Sequence, residues 1–152
     1  MGKDGSVAEF ARALIAEVES LLPRYDAMPE DFVLNKGNVA VAIIGPDGDY
    51  YGKMFGSGSS TAMQCARIAM KKATQVWITG LATGEFERKA FSGEIDEAKY
   101  GIQRPDYIGW EGGIPATTGD GVKVALAFSG YRGENDVKIL ELALEKLGGS
   151  RR

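Results

Sequence analysis

Ten residues in the second half of the chain and one helix before it have types that can do chemistry. Glu111 follows Trp110 and precedes Gly112, Gly113, Ile114 and Pro115. A carboxylate against an indole is expected to have a raised pKa and to serve as a general acid or base. The bland alternative is a solvated glutamate beside a half-buried tryptophan. Backbone N–H groups around Gly112, Gly113 and Pro115 are candidates to cradle an oxyanion or carboxylate, and equally form a hairpin corner. Arg132 follows Ser129, Gly130 and Tyr131 at a strand-to-helix junction, a common place for an anion-binding side chain. Lys72 offers a second cation, with a solvated helix face as its alternative. Tyr100 and Tyr107 are the phenols available to an irregular segment, as stacking groups or ligands. Asn135 and Asp136 read as the cap and first turn of the last helix. Cys65 reads as a small core hydrophobe, because nothing near it in sequence would activate a thiol.

An absence restricts that chemistry more than any motif. The chain of 152 residues contains no histidine. The commonest general base at neutral pH and the commonest metal ligand are therefore missing. Ser-His-Asp and Cys-His hydrolysis, the usual zinc sites and His-ligated haem are excluded for the isolated chain. Catalysis would have to run on carboxylates, lysine, tyrosine, cysteine or backbone donors.

Composition sets the wider bounds. A net charge of −3 without a basic block argues against nucleic acid as a partner. The single cysteine rules out an internal disulfide and suits a reducing compartment. No charged-then-apolar leader is read at the start, and no apolar run approaches the ~20 residues of a membrane span. The expectation is a cytoplasmic protein with no membrane partner, and a single domain over residues 1–152.

The elements that must position these residues follow from periodicity. Residues 6–22 form an amphipathic helix capped by Ser6 and ended by Pro23, with a surface linker over 23–37. Val39–Ile44 is apolar on both faces and turns through Gly45-Pro46-Asp47-Gly48 into a second strand at Tyr50–Phe55. Ala40 and Ala42 make one face of the first strand small. Ala125, Ala127 and Ser129 do the same for the strand over 122–129, which predicts adjacent positions in one sheet, with a helix or a ligand lying close on the small face. A helix runs from Thr61 to Ile78, with Met63, Ala66, Met70, Ala73 and Trp77 as its buried stripe and Arg67, Lys71 and Gln75 on a polar face. Residues 81–107 are irregular with short helical turns capped at Thr83 and Ser92. The last helix, Asp136 to Leu147, is apolar on more than one face. Its surplus residues, Ile139 and Leu142, predict an interface between copies of the chain. The order α-β-β-α-(irregular)-β-β-α gives an α+β class: one antiparallel sheet flanked by helices.

Four stretches in this order resemble the GlcG/HbpS-like haem-binding family, whose fold also forms the C-terminal domain of PduO-type cobalamin adenosyltransferases. They are Val39–Gly48, Ala66–Ala73, Gly112–Pro115 and Val124–Gly130 followed by Asn135-Asp136, within a span of about 38–147. The resemblance implies a five-stranded antiparallel sheet, a homo-oligomer and a ligand pocket near the Gly-Gly-x-Pro turn. It also implies haem as a candidate cofactor, here without a histidine ligand. Three functions fit: binding of a small, flat anionic molecule; proton-transfer or lyase chemistry on an organic acid, with Glu111 as base and Lys72 or Arg132 orienting; or an assembly subunit without chemistry.

Overall fold

A computed structural model describes residues 3–102 and 106–152. Arg104, in the segment read as irregular, lies outside the described residues. The elements are α1 (Lys3–Asp26), α2 (Pro29–Asn35), β1 (Val39–Ile44), β2 (Tyr50–Phe55), α3 (Ser60–Thr79) and α4 (Thr83–Ser92). A 3-10 turn (Glu97–Tyr100), β3 (Gly113–Thr117), β4 (Lys123–Ser129), α5 (Gly133–Lys146) and β5 (Ser150–Arg151) complete them. The strands form one antiparallel sheet in the order β2-β1-β4-β3-β5. The α+β class and the adjacency of the two apolar strands are as the sequence predicts.

The difference in size between the sheet's faces decides what covers each. On one face Ala40, Ala42, Ala125 and Ala127 meet Cys65, Ala69, Ala73 and Val76 of α3. On the other, Val41, Ile43, Leu126 and Phe128 meet Leu14 and Val18 of α1 and Leu140 and Leu144 of α5. The small face thus carries a helix at close range. The larger one carries two helices.

That close approach changes the stripe expected for α3. Its buried residues are Ala62, Cys65, Ala69, Lys72, Ala73, Gln75 and Val76, while Met63 and Trp77 stay about half exposed. Small side chains of α3 face the alanines, while the bulkier Met63 and Trp77 are turned aside. Gln75, expected on the polar face, lies inside and accepts the Ile108 N–H at 2.8 Å.

Three other expectations are corrected. The first helix continues through Pro23 to Asp26. Pro23 removes one backbone donor, but Leu22 and Tyr25 beside it are buried, and their packing outweighs that loss. The surface linker contains α2, which opens with Pro29 at its start and closes on Lys36 in the left-handed conformation. Ile139 is fully buried and Leu142 packs against the same core, because α5 packs against both the sheet and α1. Much of the breadth of its apolar face is used within the chain, so Ile139 is not left over to point outward.

If the alanine face is what lets α3 approach, Ala127→Leu should overpack it. The expected loss is about 1–3 kcal/mol, read as a lower midpoint in urea denaturation.

Candidate functional site

Two neighbouring clefts open where β3 and β4 meet the starts of α4 and α5. One, about 500 Å³, is lined by Leu34, Cys65, Ile68, Trp110, Ser129 and Arg132, with Lys72 and Asp136 at its floor. The other, about 540 Å³, is lined among others by Thr83, Arg88, Gly112, Gly113 and Val137. Glu111 belongs to both.

The floor of the first cleft is a buried ion pair. Lys72 sits on the inner face of α3, and its Nζ donates to the Phe128 carbonyl at 2.9 Å and to Asp136 Oδ2 at 3.1 Å. Both side chains are almost wholly removed from solvent. Asp136 Oδ1 accepts the Tyr131 N–H at 2.8 Å. Burial pushes the Asp136 carboxyl up to about 7, against the restraining Lys72 charge and the backbone N–H groups of Tyr131 and Gly130. Lys72 is therefore no solvated side chain, and Asp136 is more than part of a first helical turn.

A second buried carboxylate fixes the wall. Asp31 of α2 accepts the Arg132 N–H at 2.9 Å, Arg132 Nε at 3.1 Å and Asn135 Nδ2 at 2.7 Å. Burial alone would raise its pKa, but these donors together hold the Asp31 carboxyl below its ordinary value. Asn35 donates to the Gly130 carbonyl, and the Tyr131 hydroxyl donates to Asp26 Oδ1, both at 2.8 Å. Tyr131 also stacks between Tyr25 and Phe128. The loop 129–133 is thus tied to α1, α2 and α5 at once.

The opposite wall is the turn Trp110–Gly113. Thr83 donates to the Trp110 carbonyl at 2.6 Å and accepts the Gly113 N–H at 3.3 Å. Thr83 is the first residue of α4 and clasps this turn, instead of capping the helix. Gly112 has φ 122°, and a Cβ there would lie 2.6 Å from both Lys72 Nζ and the Phe128 carbonyl. Gly113 needs no positive φ. A Cβ on it would meet Thr83 at 2.7 Å and Val76 at 3.0 Å, so close packing demands the glycine.

Of the ten residues singled out by sequence, Lys72, Trp110, Glu111, Ser129 and Arg132 converge on the first cleft, and Glu111, Gly112 and Gly113 on its neighbour. The remaining three line neither. Pro115 is inside β3 opposite Ala125. Tyr107 is buried against Phe86 and its hydroxyl donates to Glu97, and Tyr100 meets the same Phe86 edge-on. The Gly113 N–H is spent on Thr83 and does not face a ligand. Cys65 is buried, and burial raises its thiol pKa, so it is no ready nucleophile.

Asp26, Asp31, Asn35 and Thr83 were not legible as site residues. Pro29 followed by Glu30 and Asp31 is a helix-start signal that would have placed Asp31 on a helix, though not facing Arg132.

Neither a family model nor a curated protein matches the chain by sequence. Solved structures do match. HbpS superposes with a TM-score of 0.64 at 20% identity, covering 92% of this chain and 88% of its own. The chain has the HbpS-like fold. The PduOC:heme complex aligns over 99% of this chain and 96% of its own, at a TM-score of 0.64 and 16% identity. Klebsiella pneumoniae protein ORFY reaches 0.66 at 17% identity over 90% and 86% of the two chains. The likeness is one of fold, and the five expected strands are those of the sheet β2-β1-β4-β3-β5. No described helix is long and apolar enough to cross a membrane.

Two outcomes follow from this geometry. Gly112→Ala should cost more than about 1 kcal/mol, since it meets both a positive φ and the Lys72 ammonium, and a thermal melt reads it. Asp31 contributes stability that is fully present above its ordinary value of 3.8 and is lost as pH falls through its lower folded value. Asp31→Asn should therefore cost about 1–3 kcal/mol at neutral pH, with the difference from wild type shrinking as the pH falls below 3.8. Urea titrations across pH measure both.

Proposed function

We propose that the chain is a small-molecule-binding protein whose ligand lies in the first cleft, between α2, α3, Trp110 and the loop 129–133. The observation that carries this is the convergence of five expected residues around a cleft that also exposes apolar surface. Trp110 is 65% exposed and Leu34 51%, and both line it. Exposed indole and leucine side chains above a polar floor suit a ligand with a flat apolar body and a polar end. Arg132 and Ser129 lie at the rim and floor to receive that end.

One structural neighbour is a heme complex, so the fit of haem to these residues matters. The chain has no histidine. Burial raises the Cys65 thiol away from thiolate. The Tyr131 phenol is raised by burial and by Asp26, to which it donates, and Lys72 is engaged by Asp136. This lining does not fit an axially ligated haem. A flat organic acid asks for less: an apolar wall and a polar end.

Titration with 2-naphthoate, followed by tryptophan fluorescence and calorimetry, tests the reading. Trp77 remains as an internal reference, its indole donating to the Gly45 carbonyl at 3.2 Å. Trp110→Ala is expected to remove the quenching and weaken binding by about 0.5–1.5 kcal/mol. Haemin is expected to give no ligated Soret band. Equal affinity in wild type and Trp110→Ala would place the ligand elsewhere.

A further inference from the structure

Lys72 and Arg132 are the cations lining the first cleft among the described residues. Arg132 is paired with Asp31 and Glu134 at the rim. Lys72 lies deeper. An ammonium has three N–H donors. One reaches the Phe128 carbonyl and one Asp136, and the third has no acceptor among the described residues. A carboxylate entering the cleft floor would meet this donor.

It would also meet Asp136. Two carboxylates around one buried ammonium repel each other, and a shared site of that kind is relieved when one of them takes a proton. Which one does so is decided by environment. A free organic acid ionises near pH 4, whereas burial already holds Asp136 up at about 7. The other charged or titratable groups facing Asp136 do not reverse this order. Cys65 on α3 and the Tyr131 phenol are both kept neutral by burial, and the Asp31 carboxylate is offset by Arg132. Once neutral, Asp136 retains a carbonyl oxygen for the Tyr131 N–H, so the wall formed by loop 129–133 need not come apart.

We propose that the cleft binds an organic carboxylate together with one proton: the ligand accepts the free Lys72 N–H, and Asp136 takes the proton and becomes a neutral acid. The charge balance is one anion and one proton in, with no bond made or broken in the ligand. This rests on the cleft being the ligand site. It adds the donor that meets the ligand's carboxylate and a link between occupancy and pH. The sign is fixed by the free state. Above about pH 7 Asp136 is ionised before binding, so binding takes up a proton and affinity falls as pH rises. Below that range Asp136 is already neutral, and both effects vanish.

Calorimetry with 2-naphthoate in two buffers of different ionisation enthalpy counts the proton. The expected uptake is about one at pH 8.5, falling toward zero near pH 6, with affinity dropping about tenfold per pH unit on the alkaline side. The neutral analogue 2-naphthamide should bind, if more weakly, with no proton uptake at either pH. Asp136→Asn should make naphthoate affinity independent of pH. If that variant fails to fold, the wild-type proton count decides alone. Naphthoate binding of equal strength at pH 6 and 8.5, with heats independent of buffer, overturns this inference and leaves the cleft standing. Failure of both the acid and the amide to quench Trp110 overturns the cleft and the inference together.

Discussion

One buried ammonium holds together parts of the chain that lie up to 64 residues apart. Lys72 on α3 reaches Phe128 at the end of β4 and Asp136 on α5, and Asp136 in turn holds the loop between those two elements. A buried pair of this kind is costly to assemble, and removing one partner strands a charge at about 3–5 kcal/mol. Its position explains several neighbours. Gly112 has no side chain because the ammonium occupies the space where one would go. The Phe128 N–H pairs with the Gly112 carbonyl, so the same strand end meets the pair on one side and the turn on the other.

Asp31 and Asp136 divide the work of holding loop 129–133 and pay for it differently. Asp31 accepts from a guanidinium, an amide and a backbone N–H, and these donors keep it ionised below the usual range. Asp136 has one ammonium and backbone donors in a drier place, and burial wins. The loop is therefore anchored by one carboxylate that keeps its charge through mild acid and another whose charge is sensitive near neutrality.

Alternating large and small residues made the sheet readable. Ala40 and Ala42 against Val41 and Ile43, repeated by Ala125 and Ala127 against Leu126 and Phe128, state both the adjacency of β1 and β4 and which face admits a close helix. Helix ends were less legible. Pro23 is a stop signal locally, and only the burial of Leu22 and Tyr25 overrides it. The stripe of α3 was misplaced for a related reason: hydrophobicity favours Met63 and Trp77, whereas the gap over an alanine face favours small residues and even admits Lys72 and Gln75. At the site, residue types pointed to Trp110, Glu111 and Arg132. Nothing local to Asp31 or Thr83 marks their roles, because their partners are about 101 and 27–30 residues away. The apolar surplus read on α5 was no surplus at Ile139, because a helix packed against both a sheet and another helix needs two apolar faces.

Glu111 stands in a narrow place between α4 and α5. A Cβ on Gly84 would come within 3.3 Å of its side chain, and one on Gly133 within 3.0 Å. The two glycines therefore act as spacers on either side of a thin partition. Because Glu111 lines both recesses, they share one wall, and a change of side chain at that position alters the lining of each at once.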